Sequence, residues 1–144
     1  MSANRFLDTN VLFYACDSSE PDKQAVALQL IGELSAEGTG LISTQVLGEF
    51  FHSTVVRRKL LAAADAERVV RDYGKTFQVV GIDFEIVCLA MEIHRRFQIS
   101  YWDSLIVATA SHHGCSEIVS EDFSAGQIYQ GVRAVNPFQP KTKS

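Results

Sequence analysis

The chain has 144 residues, 17 acidic and 13 basic, giving a formal net charge of −4, with 47% hydrophobic and 21% charged residues. That length suits one domain burying roughly 70% of its unfolded surface, the composition is globular rather than disordered, and the acid excess excludes a broad basic surface for coating nucleic acid. Three scattered cysteines without a CxxC pair exclude a disulfide frame or zinc site and point to a reducing compartment, the cytoplasm, while no purely apolar run exceeds the six residues of Val11 to Cys16, so neither a membrane span nor a signal peptide is expected.

Arg5-Phe6-Leu7 reads as a short strand ending at Asp8. Ser19 is expected to begin a helix. Glu20, Pro21 and Asp22 fill its first turn, Ser19 and Asp22 have capping-box spacing, and Ala27, Leu30, Ile31 and Leu34 recur at helical intervals up to Gly38. Gly40 to Ser43 is a second strand. Val46, Leu47, Phe50, Phe51 and Val55 make an amphipathic helix, and Ala62 to Tyr73 makes another. Phe77 to Ile82 reads as a strand. A helix with Ile86, Leu89, Ala90, Ile93 and Phe97 on one stripe follows, then a helix from Trp102 to His113 closed by Gly114. Glu117 to Ser120 and Val132 to Val135 are the last strands. Residues 1–138 read as one domain, and 139–144 as a polar, frayed tail.

Strands separated by helices imply βαβ units, hence a mostly parallel sheet with helices on both faces, a three-layer α/β/α sandwich. Functional groups in such sheets gather beyond the carboxyl ends of the strands. Four acids fall at element ends or on the helices beside them: Asp8, Glu49, Asp103 and Asp122. Each has a plainer reading. Asp8 suits a helix cap, Glu49 a solvated helix face, Asp103 a capping box with Ser100, and Asp122 a turn.

The run Phe6-Leu7-Asp8-Thr9-Asn10-Val11-Leu12-Phe13-Tyr14-Ala15 resembles the N-terminal signature of PIN-domain ribonucleases. Glu49-Phe50-Phe51, Tyr101-Trp102-Asp103-Ser104-Leu105-Ile106 and Ser120-Glu121-Asp122-Phe123 resemble that family's later acidic motifs, in the same order. The ending, with Gly126, Gly131 and Asn136-Pro137-Phe138, is similar to the VapC-type toxin branch, and the resemblance spans essentially the whole chain. It implies a PIN-like fold and a metal-dependent endoribonuclease acting on RNA, with a cognate antitoxin protein and a homodimeric assembly. Asp8, Glu49, Asp103 and Asp122 would be the catalytic and metal-holding acids, with Glu121 the alternative to Asp122. Thr9 and Asn10 would orient Asp8, with Ser104 and Ser120 in support or simply starting helices.

The chemistry suits such acids. Phosphodiester hydrolysis needs an activated water and a neutralised phosphate, which divalent metals supply. Carboxylates without histidine or thiolate are hard donors, which implies Mg²⁺, or Mn²⁺, rather than zinc. Two carboxylates about 4.5 Å apart repel by roughly 3.7 kcal/mol at an effective dielectric of about 20, so a carboxylate cluster calls for a cation. Arg57-Arg58 and Arg95-Arg96 close helices, where cations are favoured, or touch RNA phosphates. Trp102 suits either burial at a helix start or stacking on a base. Two other functions fit the same residues. One is a non-catalytic PIN-like binding module. The other is a Mg²⁺ phosphohydrolase with Asp8 as nucleophile, which Asn10 two residues on disfavours.

Overall fold

The computed structural model describes residues 3–139. The tail expected from 139 onward therefore lies, apart from Gln139, outside the described residues. The six strands are β1 (Arg5–Leu7), β2 (Gly40–Ser43), β3 (Gln78–Val80), β4 (Glu117–Val119), β5 (Ile128–Tyr129) and β6 (Val132–Val135). They form one sheet in the order β3-β2-β1-β4-β6-β5, parallel throughout except for the antiparallel β5–β6 pair. Six α-helices join them: α1 (Thr9–Tyr14), α2 (Pro21–Glu37), α3 (Thr44–Phe51), α4 (Ala63–Thr76), α5 (Phe84–Phe97) and α6 (Tyr101–His112), with a π-helical turn, His52–Arg57, extending α3.

Adjacent strand residues point to opposite faces. Phe6 and Leu7 of β1 are both fully buried, as are all four residues of β2 and, in β4, Ile118 and Val119. The sheet is therefore covered on both sides, as a parallel sheet with crossover helices must be. Helix α6 is the innermost. Every residue from Ser104 to Ala110 is buried, and the helix packs along α5. Its two buried hydroxyls are satisfied within the helix, Ser104 Oγ donating to the Ser100 carbonyl at 2.8 Å and Thr109 Oγ1 to that of Leu105 at 2.7 Å.

Several boundaries differ from the sequence reading. Ser19 does not cap α2. Its hydroxyl donates to Asp17 Oδ1 at 2.6 Å, and Glu20 stands at the N-cap without a side-chain bond. The strand expected over Phe77 to Ile82 shrinks to Gln78–Val80, because Phe77 closes α4 and tucks its ring against Gly40 and Tyr73. Strand β4 ends at Val119, one residue before the expected Ser120, although the Ser120 amide still donates to the Val135 carbonyl at 2.9 Å. Strand β5 was unforeseen. The expected C-terminal end of α6 holds, with Gly114 in the left-handed region at φ +70°.

Candidate metal and RNA site

The strand order steps outward from β1 in both directions, to β2 on one side and β4 on the other. That is the switch point where the crossover loops diverge and leave a crevice. Asp8 sits on its β1 rim, and Ser120, Glu121 and Asp122 follow β4 on the other. The Asp8 amide extends the ladder by donating to the Val119 carbonyl at 3.1 Å, which holds the two rims together.

Asp8 is both cap and site residue. It is 5% exposed, and its Oδ1 accepts from the Thr9 amide at 2.7 Å as the N-cap of α1. Its Oδ2 accepts from Ser120 Oγ at 2.7 Å. Ser120 Oγ in turn accepts from Asn10 Nδ2 at 3.0 Å and from the Asp122 amide at 3.0 Å. With both lone pairs taken, its single proton must go to Asp8. Asn10 Nδ2 also reaches Asp122 Oδ2 at 3.2 Å. Thr9 Oγ1 donates to Glu49 Oε2 at 2.8 Å, and Gln45 Nε2 donates to Glu49 Oε1 at 2.9 Å. Both oxygens of Glu49 are thus held from two different helices.

Asp103 lies in the first turn of α6, its amide donating to Ser100 Oγ at 3.0 Å. Only half of the expected capping box therefore forms: Ser100 caps the helix, the Asp103 carboxyl makes no return bond to it among the described residues, and that carboxyl instead feels the charges of Asp122 and Glu49. Burial raises the Asp103 carboxyl above the ordinary carboxylate range, opposed by Ser100 and reinforced by those two acids. Burial likewise pushes Asp8 up to about 7, against the lowering effect of Ser120 and the Thr9 amide and with a further push from Asp122 and Glu49. Four acids on separate elements thus share one electrostatic neighbourhood.

Beside them lies a cavity of about 580 Å³ whose walls include Thr9, Asn10, Glu49, Arg57, Arg58, Trp102 and Asp122. The π-helical turn brings Arg57 and Arg58 to this wall. Its wider i→i+5 winding, closed by the Arg58 amide on the Ser53 carbonyl at 2.9 Å, rotates the end of α3 relative to an α-helical continuation. Arg58 packs its guanidinium over the Phe13 ring, 5.3 Å from the centroid. Arg95 and Arg96 stand in the last turn of α5 and do not line the cavity. Trp102 is 63% exposed, which overturns its expected burial: as the second residue of α6 it faces outward, while Ser104 to Ala110 take the buried turns.

The alternative fourth acid, Glu121, is engaged elsewhere. It accepts from Tyr14 Oη at 2.6 Å and from Lys23 Nζ at 3.0 Å, whereas Asp122 turns to Asn10. Ser104 is buried and donates its hydroxyl to the Ser100 carbonyl, which braces the helix start. Sequence reasoning missed Gln45. Its only local signal is its place one helical turn before Glu49. Gln45 Nε2 also donates to the Trp102 carbonyl at 3.2 Å, tying α3 to the start of α6, and its Oε1 is buried without a hydrogen-bond partner.

The donor chemistry suits a hard divalent cation: every candidate atom is an oxygen, and all four candidate residues are carboxylic acids. Among the described residues no three histidine, cysteine or acidic side chains are gathered closely enough to enclose an ion as they stand. No helix among them is long and apolar enough to cross a membrane.

Structural comparison places the chain beside toxins of toxin–antitoxin pairs. It matches a toxin–antitoxin complex from Klebsiella pneumoniae with a TM-score of 0.66 at 21% identity, covering 96% of this chain and 100% of that one. A DNA-bound VapBC from Salmonella typhimurium gives 0.68 at 17% identity, covering 92% and 97%. The Mycobacterium tuberculosis toxin VapC20, described as cleaving the sarcin–ricin loop, gives 0.62 at 17% identity, covering 80% and 87%. At these identities the likeness is one of fold. No curated protein matches the chain by sequence. The family model of the PIN domain, a nuclease fold, matches residues 5–129. With the sheet order and the acids at its switch point, that match makes the chain a member of the PIN domain family.

Proposed function

We propose that the protein is a metal-dependent endoribonuclease and the toxin of a toxin–antitoxin pair. The observation that supports this reading is the hydrogen-bond web linking the acid-bearing elements, Thr9 to Glu49, Ser120 to Asp8, Asn10 to Asp122 and Gln45 to the Trp102 carbonyl before Asp103, beside a cavity with Arg57 and Arg58 in its wall. Asp8 and Asp103 would hold a divalent cation, Mg²⁺ or Mn²⁺, with Glu49 and Asp122 completing the set. When bound, the cation supplies the positive charge that activates water and offsets the charge building on the phosphate. The chain's own residues do the positioning. Thr9 and Gln45 fix the Glu49 carboxylate, Ser120 fixes Asp8, Asn10 ties Asp122 and Ser120 to α1, and Arg57 and Arg58 contact phosphates. The toxin–antitoxin complexes of the same fold support an antitoxin partner, and a homodimeric assembly belongs to the same proposal.

The test is cleavage of total RNA with Mg²⁺ by the purified full chain, alongside Asp8→Asn and Asp103→Asn variants shown to be folded by circular dichroism. Defined metal-dependent cleavage ends are expected from the wild type, with loss of at least about a hundredfold in rate for either variant. Unchanged metal-dependent turnover by the folded variants would refute the assignment.

A further inference from the structure

We infer that Trp102 is a base-stacking platform at the mouth of the site, which makes an unpaired RNA base beside the scissile phosphate part of what the enzyme reads. This inference rests on the ribonuclease reading and names its substrate contact. A tryptophan with 63% of its surface exposed costs hydration that a folded chain normally avoids, and this one stands in the wall of the cavity, next in sequence to Asp103. Its position is braced at two points. The Trp102 carbonyl accepts from Gln45 Nε2, and the indole meets the Tyr101 ring edge to face, with centroids 5.3 Å apart and planes at 73°. The ring is thus held in place with most of its area still open.

Charge complementarity selects the occupant. The same cavity wall carries Arg57 and Arg58, suited to phosphates, while the acids would hold a cation. Aromatic surface, guanidinium and carboxylate sites together match a single nucleic-acid strand, whose unstacked bases need a π-face and whose backbone needs cations. A paired helix keeps its bases stacked on one another and offers Trp102 nothing. The ring has no sequence preference of its own, so it selects for an unpaired base rather than for a particular one.

Trp102 is the sole tryptophan of the chain, so its fluorescence reports on this contact alone. The probe is a short mixed-sequence oligoribonucleotide, single-stranded or annealed to its complement, titrated into the full chain carrying Asp8→Asn so that the RNA stays intact in Mg²⁺. Quenching of the indole emission by the single strand, with little response to the duplex, is expected. Trp102→Ala, read by fluorescence anisotropy of labelled RNA, should weaken single-strand binding by roughly five- to a hundredfold, as loss of base–aromatic stacking does. Trp102→Phe should recover most of that loss. In the otherwise wild-type enzyme, Trp102→Ala should raise KM far more than it lowers kcat. Unchanged emission on saturation with RNA, equal affinity of Trp102→Ala and its parent, or no single-strand binding would each overturn the proposal. The emission and affinity readouts do not depend on cleavage, so failure of the ribonuclease reading shows separately, as absence of metal-dependent turnover by the wild type.

Discussion

Asp8 shows how one residue carries two duties and what that does to the metal-free protein. Its carboxylate caps α1 and at the same time sits buried among other acids, so its affinity for a proton rises from the ordinary 3.8 to about 7. The folded chain then binds this proton more tightly than the unfolded chain does. The resulting stabilisation is fully present below about pH 4 and is lost as pH rises toward 7. Denaturant titrations in EDTA should show stability falling across that window, with about 4 kcal/mol as the upper bound for this one group, and Asp8→Asn should flatten the slope. A metal-free wild type equally stable at pH 5 and pH 7.5 would contradict the buried-acid account. Asp8, Glu49, Asp103 and Asp122 were all legible in the sequence, through their places in motifs at element ends. Gln45 and the outward turn of Trp102 were not. The first acts through bonds between helices far apart in sequence, and the second depends on which side of α6 faces the core.

At the level of elements, what the pattern revealed was the alternation, and what it missed was the detail set by tertiary contacts. The parallel sheet followed from strands separated by helices. The π-helical turn after α3 escaped because Val46, Leu47, Phe50, Phe51 and Val55 fit an ordinary α-helical stripe, and no residue in His52–Arg57 signals the wider winding. Strand β5 escaped because its two-residue hairpin turns through Gln130 and Gly131, at φ +50° and +81°, and glutamine is not a usual signal for the left-handed first position. The shortened β3 has a cause that can be tested. A Cβ added at Gly40, in β2, would lie 2.4 Å from Cδ1 of Phe77, the residue that closes α4 in place of the first strand position expected for it. Gly40→Ala should therefore destabilise the fold by about 1–3 kcal/mol, read as a lower urea midpoint at an unchanged slope. Phe77→Leu in the same chain should recover part of the loss by clearing the space. A Gly40→Ala protein as stable as the wild type would mean that the ring moves aside freely and does not hold α4 against the sheet.

For the whole molecule, the charge balance and the site are one subject. Removing Asp8, Glu49, Asp103 and Asp122 from the count leaves 13 acids against 13 bases, so the net −4 equals the proposed metal-holding set. An acid excess concentrated at one crevice does not oppose RNA binding as a spread of acid would; it makes RNA binding conditional on a cation. The same concentration strains the cation-free fold, through mutual repulsion and through the desolvation that raises Asp8 and Asp103. A divalent ion that binds the folded chain alone should relieve both. At a concentration a hundred times its Kd it would add about 2.7 kcal/mol, which for a chain of this length is roughly 5–10 °C in Tm. Proton and metal compete for the Asp8 carboxylate, so the Mg²⁺-induced rise should be larger at pH 8 than at pH 6; screening of the net negative surface runs the same way with pH, but it would act on the wild type and on a ligand variant alike. Thermal melts in EDTA and in excess Mg²⁺ at both pH values decide the matter, with Asp103→Asn as the control that should lose most of the response. Superimposed melts with and without the cation would show that the acids hold no metal, and the nuclease chemistry proposed for them would fall with that result.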